Sequence, residues 1–126
     1  MFEILEGSSG DVLAVEISGG YTKGDVALFK KAFEDTLQGG VARINVLCKI
    51  DRLKLTESEM GAFVEDARYG FANMDKIRHI AVVADSAFVK FLVACDNAVF
   101  GDPKKGLVEK YFSTSDLAAA WAFVRG

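Results

Sequence analysis

Residues 77–84 read Ile-Arg-His-Ile-Ala-Val-Val-Ala, an apolar run broken only by Arg78 and His79. A strand with so little polar surface needs cover on both faces, which puts this segment at the centre of a sheet with helices on either side. Residues 42–50 support the same arrangement, with Ile44, Val46, Cys48 and Ile50 on one face and Leu47 among polar residues on the other. Two shorter β-prone runs, residues 2–6 and 12–18, flank the turn-rich Gly7-Ser8-Ser9-Gly10-Asp11 and predict an opening hairpin.

Helical periodicity fills the intervals. Thr22 caps a helix whose apolar face is Val26, Phe29, Phe33 and Leu37, with Asp25 completing a capping box and Gly39-Gly40 closing it. Thr56-x-x-Glu59 is a second capping box, followed by the stripe Met60, Phe63, Val64, Ala67, Phe71 and Met74 opposite Glu65, Asp66 and Arg68. Asp85 or Ser86 starts a third helix running to about Phe100, residues 107–112 form a last strand, and a Ser/Thr-capped helix covers residues 115–125. The order β-β-α-β-α-β-α-β-α predicts an α/β fold: a mostly parallel central sheet of about five strands, an N-terminal hairpin and four helices, in one domain over residues 1–126.

Several function classes are excluded early. A net charge of −3 removes the usual driving force for nucleic-acid binding, so no nucleic acid is expected as partner. The longest unbroken apolar stretch, residues 117–124, is far short of the ~20 residues that span a bilayer, so no membrane span is expected. No basic residue precedes an apolar run at the start, which argues against a secretory signal. Cys48 and Cys95 belong to no Cys-x-x-Cys pair and have no neighbouring His, so they read as buried thiols of a cytoplasmic protein without cofactor or metal.

Candidate chemistry is sparse. Gly19-Gly20-Tyr21-Thr22-Lys23-Gly24 has the glycine spacing of a phosphate-binding loop, but Asp25 and Val26 stand where Lys and Ser/Thr are required, which leaves a turn and a cap. His79, the single histidine, lies near the start of its strand, whereas sites in open parallel sheets form beyond the carboxyl ends. That productive edge collects Tyr21, Asp51, Asp85, Ser86 and the Ser113-Thr114-Ser115-Asp116 cluster. Asp51 and Asp85 could be neighbours there, although two aspartates without a third ligand make a weak metal site. Lys49, Arg52 and Lys54 form a small basic patch close by.

The third helix is apolar on two sides. Beyond its core stripe it carries Val89, Val93 and Phe100, so Phe88, Val89, Leu92, Val93 and Phe100 are the candidate ligand or partner surface. The final helix is as short of charge. Such helices need cover on more than one side, from each other, a partner or an apolar ligand.

The segment Ile77-Arg78-His79-Ile80-Ala81-Val82-Val83-Ala84-Asp85, with Phe88, residues 108–112 and Ala120-Trp121, resembles the SpoIIAA-like family of small bacterial proteins related in fold to STAS domains. The resemblance implies a STAS-like α/β fold and no assigned enzymatic activity. The phosphorylatable Asp-Ser-Ser-Gly stretch of anti-sigma-factor antagonists is missing, since Asp51-Arg52-Leu53-Lys54-Leu55-Thr56-Glu57-Ser58-Glu59 stands there and Thr56 serves as a cap. Phe88 occupies a place where relatives carry Trp. The fold also resembles lipid-binding CRAL-TRIO domains. The expectation is a non-enzymatic binding or protein-interaction module, self-associating as a homo-oligomer, most simply a dimer. The alternatives are a carrier of a small apolar or amphipathic ligand beneath the third helix, and a small enzyme using carboxylates at the strand ends.

Overall fold

The structure, a computed structural model, describes residues 2–51, 61–62, 65–66, 68–69, 72–85 and 108–126. Its centre is a five-stranded sheet in the order β1-β2-β3-β4-β5: β1 (Phe2–Ile4), β2 (Val12–Ser18), β3 (Ile44–Asp51), β4 (Ile77–Val83) and β5 (Val108–Phe112). β1 runs antiparallel to β2 and the other neighbours are parallel, so the hairpin and the mostly parallel sheet are both present. Each strand is laid outside the one before it, and the mostly apolar residues 77–83 lie between β3 and β5, inside the sheet.

Side-chain alternation assigns the two faces. Leu13, Val15, Ile44, Val46 and Ile77 pack with Ala32 and Phe33 of helix α1 (Lys23–Gln38). On the opposite face Val12, Ala14, Leu47, Ala81 and Val83 pack with Ala120 and Val124 of helix α2 (Leu117–Arg125). The alternation holds through β2 and β3 but breaks in β4. The register passes from Ile44↔Ile77 to Val46↔Ile80, so Arg78 and His79 together stand opposite Asn45 in a β-bulge. The bulge returns Ile80 to the α1 face and leaves His79 on the α2 face.

α1 starts as its sequence requires. The Thr22 hydroxyl accepts from the Asp25 amide at 3.2 Å, and the Asp25 carboxylate accepts from the Thr22 amide at 3.1 Å. The hairpin is shorter than expected, because only residues 2–4 pair as strand. Beyond them the Ser8 hydroxyl substitutes for backbone, accepting from the Ala14 amide at 2.9 Å and donating to its carbonyl at 3.0 Å. Gly7 then turns with φ +97°, and a Cβ there would lie 3.0 Å from Arg125 and 3.1 Å from Trp121, so the turn closes directly onto α2.

Two α-helices are complete among the described residues, not the expected four. Residues 61–62, 65–66, 68–69 and 72 are helical, in the place of the second expected helix. The third, residues 86–100, lies outside the described residues. The last helix begins at Leu117 instead of Ser115, after a 3₁₀ turn over Thr114–Asp116, and its N-cap Asp116 makes no capping bond. Asp116 accepts instead from the Ser113 hydroxyl at 3.0 Å, which removes it from capping duty.

Candidate functional site

The carboxyl edge of the sheet does not assemble the expected residues into one open site. Gly19, with φ +72°, and Gly20 fold the chain back after β2. Tyr21 therefore enters the core with Ile17, Val26, Ile50 and Val82 and is fully buried, instead of standing on the polar edge. Burial raises its phenol far above the ordinary value, and the Asp66 carboxylate and Cys48 thiol add to the shift. Cys48 is raised by the same two causes, desolvation and Asp66, so its thiol stays protonated and unreactive at neutral pH. Asp66 is the residue that the helical pattern misassigns, because it falls on the polar side of the stripe yet reaches the buried hydroxyl. A buried tyrosine's need for a hydrogen-bond partner is the signal that could have found it.

Asp51 ends β3 and Asp85 lies two residues beyond the end of the neighbouring β4, and both are exposed. Among the described residues no group of three His, Cys, Asp or Glu side chains is placed to hold a metal ion. Ser86, like Arg52 and Lys54, lies outside the described residues. Lys49 does not face an anion site, since its ammonium pairs with Glu16 at 3.2 Å on the α2 face. The Ser113 hydroxyl lies 2.9 Å from that of Ser115, so this cluster is tied to itself and to Asp116. The candidate partner surface Phe88, Val89, Leu92, Val93 and Phe100 also lies outside the described residues.

Two features stand out on the α2 side, the first already implied by the shortage of charge in the final helix and the second not visible in the residues. One is the outer surface of α2. Ala120 and Val124 are buried, Leu117, Trp121 and Phe123 are half-buried, and Ala118, Ala119 and Ala122 are exposed. The Arg125 guanidinium lies over Trp121 at 4.5 Å, and a shallow depression is lined by Glu6, Ala118, Trp121, Ala122 and Arg125. The other is the bulge beneath the last turn of α2. There His79 stacks on Phe123 with ring centroids 4.6 Å apart, and its Nδ1 and the Asn45 Oδ1 are buried without a hydrogen-bond partner. His79 therefore lies under a helix and not on an open edge.

A mixed five-stranded sheet with helices on both faces and a short antiparallel strand at the first edge is the architecture of a STAS-like α/β domain. The model of the family described as SpoIIAA-like matches residues 12–125, nearly the whole chain, and the chain belongs to that family. A comparison with curated proteins finds no match. Among the described residues no helix is long and apolar enough to cross a membrane.

Proposed function

We propose that this SpoIIAA-like chain is a non-enzymatic protein-interaction module that works in the cytoplasm and self-associates as a dimer through the outer face of α2. The observation that carries this reading is the composition of that face. α2 reads LAAAWAFVR, with Arg125 as its single charge, and it buries only Ala120 and Val124 completely. Ala118, Ala119 and Ala122 leave a smooth apolar surface, which allows a second helix axis to approach to about 8 Å.

Beside that surface, Trp121 and Arg125 are the residue types that most often dominate binding energy. A second copy presents the same stripe, so a twofold axis near Ala118 and Ala122 buries both stripes at once. Sedimentation velocity between 1 and about 50 μM, at concentrations bracketing ordinary weak dimers, tests the proposal. The expected result is a monomer–dimer equilibrium that Ala122→Arg shifts to monomer with the fold unchanged by circular dichroism. A protein that stays monomeric throughout, or a dimer indifferent to Ala122→Arg, overturns it.

A further inference from the structure

The inner side of α2 carries a second inference, independent of assembly through its outer side. His79 is the only histidine of the chain, and the bulge in β4 places it beneath the last turn of α2. Its ring stacks on Phe123 at 4.6 Å with 30° between the planes. The other close neighbours of this stack include cations from three directions. The Lys110 ammonium on β5 lies 5.1 Å from the centroid of the Phe123 ring. Arg43, at the approach to β3, donates to the Ile77 carbonyl at 2.7 Å, and Arg78 of β4 donates to the Gly126 carbonyl at 3.4 Å. On α2 itself Arg125 is turned away over Trp121. Glu109, the carboxylate nearest in sequence on β5, accepts from Tyr111 at 3.1 Å.

We propose that His79 is a proton-operated latch for α2: in its neutral form the imidazole holds the helix through Phe123, and protonation beneath it, among Arg43, Arg78 and Lys110, loosens the helix from the sheet. Two opposing effects decide the direction. A protonated ring gains attraction from the face of Phe123 and from that residue's carbonyl. Against this stand the loss of solvation at a buried nitrogen without a partner and the repulsion of three cations. The second group wins, since the His79 pKa is lowered from its ordinary 6.5, with desolvation the largest cause and Arg78 the next.

The sign follows from linkage. With α2 undocked the ring takes up a proton more readily, so the docked state is at full strength above pH 6.5 and weakens as pH falls from there towards the docked-state pKa. Each unit of depression is a tenfold change in the docking equilibrium. Loosening uncovers an apolar floor of Val12, Leu47, Ala81 and Val83, so acidification would create a second apolar surface on the same molecule.

Amide hydrogen exchange of the full chain between pH 8 and 5, corrected for intrinsic rates, tests the latch, with the emission of Trp121, the single tryptophan, as a second reporter. Protection in α2 is expected to be flat above pH 6.5 and to fall several-fold below it, while protection in α1 is unchanged. His79→Phe keeps an aromatic ring in the stack and is expected to abolish the fall. Arg78→Gln, an exposed substitution, removes a cation and so raises the docked-state pKa towards 6.5; the fall is expected to start at the same pH but to be shallower and to end at higher pH than in wild type. Simultaneous loss of protection in α1 and α2, identical profiles for wild type and His79→Phe, or a fall as deep in Arg78→Gln as in wild type would each overturn it.

Discussion

On one face of the sheet, the sixteen-residue α1 starts from a complete capping box and buries Val26, Ala32 and Phe33. On the other, the nine-residue α2 starts without a side-chain cap and rests Ala120 and Val124 on Ala14, Leu47 and Ala81. The polar groups differ in the same sense. Along α1, Lys30 pairs with Glu65 at 3.2 Å and the Tyr69 hydroxyl donates to Glu34 at 3.3 Å, so the polar rim ties the helical residues of 61–72 to α1. Under α2, Asn45 is 3% exposed with an unpartnered Oδ1, and His79 has an unpartnered Nδ1. One sheet thus carries a face that fully buries the aromatic rings of Tyr21 and Phe33, and a face whose fully buried side chains are aliphatic and which holds two buried polar atoms, Asn45 Oδ1 and His79 Nδ1, without a hydrogen-bond partner. Stability should concentrate on the first and response on the second.

The sharpest test compares one buried anchor from each face. Phe33 is fully buried, lies 5.7 Å from Tyr69 in an edge-to-face arrangement and lies 6.2 Å from Phe29. Phe33→Ala is expected to lower unfolding stability by about 3–5 kcal/mol, the usual cost of emptying a large core site. Val124 is equally buried but small, and Val124→Ala is expected to cost about 1.5 kcal/mol, near the lower end for an aliphatic side chain. Urea denaturation measures both. Equal losses would break the contrast between the faces.

A smaller effect comes from the two helix starts. Thr22→Ala removes one half of a reciprocal cap and is expected to cost about 1 kcal/mol, with Thr22→Ser restoring most of it. Asp116→Ala removes no capping bond at the start of α2, so its cost should be well under half as large. Thermal or urea unfolding of the four proteins orders them directly. A larger loss for Asp116→Ala than for Thr22→Ala would mean that α2 depends on its start more than its geometry indicates.

Much of this organisation was legible in the residues, for physical reasons that also mark where legibility stops. The strands of the centre could be read because burial on both faces leaves few polar positions, and α1 because its cap and stripe agree. Tyr21 could not be placed, because its burial depends on the left-handed turn at Gly19, a backbone choice that permits several exits from β2. Asp66 was hidden by its helical phase, since periodicity reports a side of the helix and not the hydroxyl that a carboxylate can reach. The place of His79 near the start of its strand was legible, but not the ring's position under α2, because one extra residue in a bulge changes the face of everything near it. The outer side of α2 fared better, since a charge-poor helix already implies unsatisfied apolar surface.

The smallest effect sharpens the comparison by its sign. Tyr69, on the α1 side, has its phenol pushed up to about 12 by burial first and by the neighbouring Glu34 next. A raised folded-state value means that the protonated phenol contributes stability fully below the ordinary value of 10.0, and that this contribution is lost as pH rises from there to about 12. Tyr21 also responds to alkali, so the informative quantity is the difference between wild type and Tyr69→Phe, in which that response cancels. Urea midpoints taken at pH 8, 10 and 11.5, spanning the window set by those two values, should show wild type losing its advantage over Tyr69→Phe only at the alkaline end. The seam along α1 would then loosen in alkali and the latch under α2 in acid, each face failing through its own titrating ring. Parallel curves for the two proteins would leave Tyr69 as packing alone and remove the alkaline half of that opposition.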